Sequence, residues 1–255
     1  MSQDHNPPPA KGWLNRFAVG VGRTVVPERG DKDGPLPPIL LLLTFMTGVL
    51  DGVSYLGLGT VFVAVMTGNV VLLGFAIAGA PDLSVASSAL ALISFLLGAT
   101  AAGRLARQAA HRGQLLAIGS ATEAALIAAA LAVSVSASGA LRQYVLIALL
   151  AAAMGTQNAI VGKLSVAELK TTVLTLTLTG LASELASGRT TGRRVLAILT
   201  TILGAILGGW LTLRAGISYA IAVCLLLSAV SALSAVLLSR SHPSWVEWGG
   251  VGKRG

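Results

Sequence analysis

Apolar runs recur along the chain from Ile39 to Leu238, parted by short polar or glycine-bearing joints. Within each run the apolar positions are continuous, not alternating, so the period-two pattern of a membrane β-barrel strand is absent. Runs this long and this apolar predict helices that cross a bilayer. Eight segments follow: 38–57, 59–80, 84–106, 115–136, 142–162, 168–187, 194–213 and 217–239. The predicted fold class is an all-α integral membrane protein with one transmembrane domain over 37–240. A leader (1–36) precedes it and a tail (241–255) follows.

Polar residues interrupt the apolar pattern in few places. The stretch TGVLDGVSYLGLGTVFVAVMTGNVVLLGFAIAG, from Thr47 to Gly79, holds one carboxylate, Asp51, and one polar cluster, Thr67-Gly68-Asn69. An ionisable group in an apolar span is costly and faces protein or a wet cavity. Asp51 is therefore either a titrating group or cation partner, or it caps the limb after a break at Gly52 or pairs with a basic side chain. Gly and Asn leave helical geometry at low cost, so Thr67-Gly68-Asn69 predicts a break. Irregular backbone at membrane depth persists only where it is buried in protein or lines water. The cluster either presents a hydroxyl, backbone groups and an amide to a ligand, or packs helices with Asn bonded across them. Ser54 and Tyr55, one turn beyond Asp51, share its cavity or simply pack.

The two halves, 38–136 and 142–239, resemble each other. Gly48-Val-Leu-Asp51-Gly followed by Thr67-Gly68-Asn69 matches Gly155-Thr-Gln-Asn158-Ala followed by Thr175-Leu176-Thr177. Gly48 to Gly155 and Asp51 to Asn158 share one offset, and Thr67 to Thr175 is one residue longer. Weak symmetry of this kind marks duplicated transporter and channel folds. Gln157 and Asn158 stand at the level of Asp51, so the acid occurs in one half only. Thr171, Thr172, Thr175, Thr177 and Thr179 either line a polar path or bond back to their own helix carbonyls. Glu184, near the end of its segment, reads as interfacial.

Charge refines the topology. Only 11% of residues are charged and 54% are hydrophobic, against roughly 25% charged in soluble domains. The net charge is +8, but most Lys and Arg flank apolar runs, which is a topological signature and not a nucleic-acid footprint. With eight crossings the RLARQAAHR loop falls on the wrong side of the positive-inside rule. If segments 59–80 and 168–187 dip in and return, only Arg142 and Arg214 of the 18 Lys and Arg stay outside. The rule thus favours six crossings plus two re-entrant or broken segments, over the alternative of eight crossings. Both termini are then cytoplasmic, and the first hairpin has its tip near Thr67-Gly68-Asn69. Six crossings make the second half an inverted copy, so the two tips meet near the midplane.

The ends carry less information. The leader opens with SQDHNPPP, a disordered composition. Trp13, Phe17 and Val21 then recur at helical spacing beside Lys11, Arg16 and Arg23, the pattern of an interfacial helix or of a basic tail. The first apolar run starts too far in for a cleavable signal peptide, so it is expected to anchor uncleaved. In the tail, Trp245 and Trp248 precede Lys253 and Arg254, an aromatic anchor with a basic end.

Catalytic chemistry has no visible machinery. No nucleotide-binding glycine loop and no His-Glu-x-x-His site occur, and His5, His111 and His242 lie in tails or loops. Cys224 is the only cysteine. It sits in an apolar run and reads as a small core hydrophobe. The expectation is no enzyme, no cofactor and no metal.

LDGVSYLGLGTVFVAVMTGNVVLLG, with its Met66-Thr67-Gly68-Asn69 block, resembles the first hallmark of the YoaK family of small bacterial inner-membrane proteins of unknown function. GTQNAIVGKL followed by TTVLTLTLTGLASEL is similar to the second. The resemblance covers roughly 38–240. Thr60 and Val65 stand where family members often carry His and Asn, and Leu176 stands where the second block often has Gly. A His proton relay and a glycine at both tips are therefore not implied. The resemblance implies a polytopic inner-membrane protein and no particular substrate.

The reading that follows is a small-solute or ion permease. Its candidate substrate site comprises Asp51, Ser54, Tyr55, Thr67, Gly68, Asn69, Gln157, Asn158, Thr175 and Thr177. Its partners are the lipid bilayer and an unnamed small solute or ion, without nucleic acid, and a homo-oligomer is compatible. The alternative is a non-transporting assembly or sensory partner.

Overall fold

The computed structural model describes residues 18–22, 24–26, 33–164, 166, 174–186 and 192–241. The expectations for Trp13, Phe17, Lys11, Arg16 and Arg23, for Thr171 and Thr172, for the Glu184 side chain, and for Trp245, Trp248, Lys253 and Arg254 lie outside the described residues. Helices α1 (Leu36–Gly57), α2 (Met66–Ile77), α3 (Val85–Gln108), α4 (Arg112–Ser136), α5 (Ala140–Leu164), α6 (Leu174–Ala186), α7 (Gly192–Arg214) and α8 (Ile217–Ser241) follow in order. Residues 18–22 and 24–25 are also helical, and no strand occurs among the described residues. Among the described residues six helices, α1, α3, α4, α5, α7 and α8, are long and apolar enough to cross a membrane. The 12 residues of α2 rise only about 18 Å at ~1.5 Å each, short of a hydrocarbon core about 30 Å thick.

Local chemistry sets the helix ends. Pro37 stands in the first turn of α1, where its missing N–H has no intrahelical partner to lose. The Ser84 hydroxyl caps α3 by accepting the Ser87 N–H at 3.1 Å, and His111 Nδ1 caps α4 by accepting the Gln114 N–H at 3.0 Å. Between α7 and α8 the N–H groups of Ala215 and Gly216 both return to the Leu211 carbonyl at 2.8 Å. That turn needs φ +103° at Gly216, which glycine adopts without penalty.

Helices α1 and α5 form the interior, with 67% and 61% of their apolar windows buried, against 17% in α7. The outer helices turn Leu96, Leu97, Leu203, Ile206 and Trp210 outward. In water such faces would be a liability; around a membrane protein they meet lipid. Because lipid removes the hydrophobic drive between helices, they associate through close packing of small residues. Helix α1 packs on α7 in this way: Gly48 lies on the backbone of Thr201 and Ala205, Gly52 on Gly208 and Gly209, and Gly204 on Phe45 and Gly48. Helix α5 packs on α3 likewise, with Gly155 on the backbone of Phe95 and Ala99 and Gly98 on that of Ala152.

Polar ties gather the helix ends into two groups. At one end the Asp33 carboxylate, just before α1, meets Arg112 at 3.5 Å and Arg193 at 3.8 Å. Arg112 also donates to the Leu164 carbonyl at 2.9 Å. The starts of α1, α4 and α7 and the end of α5 therefore lie together. At the other end Gln143 donates to the Leu58 carbonyl at 2.8 Å, Arg142 to the Ser134 carbonyl at 2.9 Å, and the Ser134 and Ser218 hydroxyls pair at 2.9 Å. The ends of α1 and α4 and the starts of α5 and α8 meet there.

The glycine contacts generate a direct expectation. Gly48→Ala and Gly155→Ala each place a Cβ against a neighbouring backbone and should destabilise the protein by about 1–3 kcal/mol. Gly103→Ala, where nothing lies within 4 Å, should be neutral or slightly stabilising. Unfolding in detergent micelles measures all three.

Candidate functional site

The site is built around a break in the chain between α1 and α2. Helix α1 ends at Gly57, and Gly59 (φ +87°) and Thr60 (φ +56°) turn the backbone through the left-handed region. Glycine enters that region freely, but a β-branched threonine does so only under constraint. One constraint is Gln143 of α5, whose side-chain amide holds the Leu58 carbonyl and fills the space a Gly59 side chain would need. Residues 61–65 then run back along α1, with Val61, Val63 and Ala64 buried. The Phe62 ring stacks on Tyr55 at 4.9 Å between centroids, and the Ala64 N–H donates to Asp51 Oδ1 at 3.2 Å.

The chain reverses again at the start of α2. The Phe62 N–H donates to Asn69 Oδ1 at 2.9 Å, and Asn69 Nδ2 donates back to the Phe62 carbonyl at 2.5 Å. One fully buried side chain thus satisfies both polar groups of a residue that has left the helix. Because Asn69 lies beside Phe62 and not beyond Ala64, α2 runs back toward the end of α1. Asp51, bonded to Ala64, sits against the N-terminal end of α2, where a carboxylate complements the partial positive charge of the helix terminus.

This geometry relocates the predicted break. Thr67, Gly68 and Asn69 are helical and form the first turn of α2, and the break falls at 58–65. The reason is that the Asn69 amide pairs with residue 62 and not with its own backbone. Gly68 yields space to the Phe62 ring and does not bend the helix. Of the predicted site residues, Asp51, Ser54, Tyr55, Gly68 and Asn69 gather around this hairpin. The buried Ser54 hydroxyl donates to the Asp51 carbonyl at 3.2 Å, and the Thr67 side chain is exposed on α2. Gln157 joins from α5 through a 2.9 Å bond from its Nε2 to the Thr47 hydroxyl, one turn before Asp51. Half-buried Asn158 donates to its own helix, to the Met154 carbonyl at 2.9 Å. Thr175 and Thr177 stand apart: among the described residues α6 packs on α7 and not on α1 or α2. The Thr179 hydroxyl bonds back to the Thr175 carbonyl, as the intrahelical alternative requires.

A second polar locus lies outside the sequence-predicted set. Glu123, near the middle of α4, is 1% exposed. Its Oε2 accepts the Ser228 hydroxyl of α8 at 3.3 Å, and its Oε1 has no partner. Glu123 lines a narrow crevice with Leu43, Leu116, Gly119, Ser120, Gln157, Ile160 and Val161. The crevice is too narrow to admit a water molecule. Gln157 Oε1 is likewise buried without a partner. The signal for Glu123 was present in the sequence, since it is an ionisable residue in an apolar run, the same criterion that marks Asp51. Among the described residues no cluster of three or more His, Cys, Asp or Glu side chains is placed to hold a metal.

A family model described as "Protein of unknown function (DUF1275)" matches residues 39–234. The chain is also 35% identical over 152 residues to the UPF0700 transmembrane protein YoaK of Bacillus subtilis (strain 168), an alignment that spans 58% of this chain and 66% of that protein. No solved structure matches the chain.

The clamp on Phe62 is testable by substitution. Asn69→Leu leaves a buried N–H and a buried carbonyl unpaired, and each unpaired group costs about 1–3 kcal/mol. The variant should unfold at lower denaturant concentration, and the Phe62 amide should lose its protection from hydrogen exchange. Asn69→Asp keeps the acceptor and should lose less. Equal stability of all three proteins would contradict the clamp.

Proposed function

The chain belongs to the DUF1275 family, whose function is unknown, and from that premise we propose that it is a small-solute or ion permease of the bacterial inner membrane. The observation that carries this reading is the break at 58–65, a non-helical segment held between α1, α2 and α5. Broken helices whose half-helix termini point inward are how many secondary transporters build their central sites. Asp51 and the α2 N-terminus supply the polar part of such a site, with Ser54, Tyr55 and Asn69 beside it.

The topology that goes with this reading has six crossings. Asp33 and Arg112 meet, which supports an even number of passages between the start of α1 and the start of α4. Eight crossings would set those residues on opposite faces. The tie from Arg112 to Leu164 and the contact of Asp33 with Arg193 give the same parity for the path from α5 to α7. Residues 58–80 then enter and leave at one face, and so does the path through α6. With the positive-inside rule the Asp33 face is cytoplasmic, as are both termini. The partner exchange, α1 with α7 and α5 with α3, supports two related halves in which Gly48 and Gly155 play the same part.

The rival reading, a non-transporting assembly or sensory partner, draws support from the local satisfaction of Asp51 by Ala64. A solute screen in proteoliposomes separates the two. Asp51→Asn keeps an acceptor for the Ala64 N–H and removes only the charge at the α2 terminus, a change of about 1 kcal/mol in stability. The permease reading predicts flux of at least one solute or ion in wild type and its loss in folded Asp51→Asn. Equal flux in both removes Asp51 from the mechanism, and a folded protein without flux across the screen favours the partner role.

A further inference from the structure

The crevice at the junction of α1, α4 and α5 is lined by oxygen acceptors that lack donors. Glu123 Oε1 and Gln157 Oε1 are both buried and both unpaired, and their residues line the same narrow space. An ionised carboxylate in such a place would lack a counter-charge. From α8 the groups facing it are Ser228 and the thiol of Cys224, from α5 Gln157, and from α1 Leu43. The cations on the packed helices lie toward their ends: Arg112 on α4, Arg142 and Lys163 on α5, Arg104 and Arg107 on α3, with Arg240 near the end of α8. Asp51, the acid of α1, bonds to Ala64. The Ser228 hydroxyl has one proton to give, and it is shared between Glu123 Oε2 at 3.3 Å and the Ser120 carbonyl at 3.2 Å.

A buried charge without a partner is strongly disfavoured, and so is a buried acceptor without a donor. One ligand relieves both: a proton on Glu123 neutralises the carboxylate and supplies a donor for Gln157 Oε1 across the crevice. A hydrated metal cation does not fit a space too tight for water, whereas a proton needs no volume. We infer that Glu123, with Gln157 opposite it, is a reversible proton-binding site at the junction of α1, α4, α5 and α8. Gln157 has a positioning role. Its Nε2 is fixed by Thr47, which leaves its carbonyl oxygen to receive the carboxyl proton. Release of that proton leaves a charged group between α4 and α8 and weakens their contact. Proton occupancy is thereby linked through Gln157 and Thr47 to α1, the helix that carries Asp51.

The test is infrared difference spectroscopy of the full-length protein in lipid nanodiscs, titrated between about pH 5 and about pH 9, the range over which buried carboxyls commonly titrate. The expected result is a protonated-carboxyl stretch that shifts in deuterated water and disappears as pH rises. It should be present in Asp51→Asn and missing when Glu123→Gln is added to that background, in which Asp51 contributes no carboxyl. If Glu123→Gln does not fold, Gln157→Leu serves, since loss of the acceptor should move both the frequency of the band and its midpoint. A band that is absent at all pH values, that survives in the folded Glu123→Gln, Asp51→Asn double variant, that never titrates, or that is unchanged in Gln157→Leu overturns the proposal. Loss of the band on adding sodium at constant pH would make the ligand a metal cation and also overturns it. The readout does not depend on flux, so a failed transport assay leaves this inference standing, and the reverse holds as well.

Discussion

A backbone that leaves the helix inside an apolar protein must have its polar groups satisfied by something other than water. Residues 58–65 meet that demand with three side chains. Asn69 closes both groups of Phe62, Asp51 takes the Ala64 N–H, and Gln143 holds the Leu58 carbonyl. Each comes from a different helix, so the break is fixed by the assembly of α1, α2 and α5 and not by the loop alone. The short α2 depends on this arrangement. Without the reversal at Phe62 it would be a twelve-residue apolar helix with no defined place in the bundle.

The rest of the bundle packs around the two interior helices that flank the break. Glycine contacts bring α7 onto α1 and α3 onto α5, so the two interior helices each have a close outer partner. Polar ties at the two ends set which helix ends lie together. Asp33 anchors one end through two arginines, and Ser134 the other through Arg142 and Ser218. Stability in the membrane therefore comes from backbone approach and a few hydrogen bonds, as expected where lipid is as apolar as the core.

Much of this was legible in the sequence, and the remainder has identifiable physical causes. Run length and apolarity located the long helices because membrane spans declare themselves by composition. The Asp51 and Thr67-Gly68-Asn69 signals led to the right hairpin but placed its break several residues late. Gly and Asn are read as helix breakers by local propensity, yet here Gly68 makes room for a ring and Asn69 reaches back seven residues, and both are tertiary facts. Thr60 in the left-handed region was not foreseeable, since threonine is a poor candidate for it. Glu123 lies in a plain alanine- and leucine-rich helix with no break near it, and its surroundings become informative only where Ser228 and Gln157 come to face it. For the threonines of α6 the sequence left a polar path and bonds back to their own helix both open; among the described residues Thr179 bonds back to Thr175 and the helix packs on α7.

In the proposed topology the chain turns back at the break, so that α2 returns to the face where α1 ends. The most direct measurement is labelling of a cysteine at position 82, in a Cys224→Ala background, by a membrane-impermeant maleimide applied to intact spheroplasts. A second single-cysteine variant at position 111 reports the opposite face. Position 82 is expected to label from outside, while position 111 labels only after the membrane is opened. Labelling of position 111 from outside, with position 82 protected until lysis, would mean that α2 crosses, and would contradict the proposed topology.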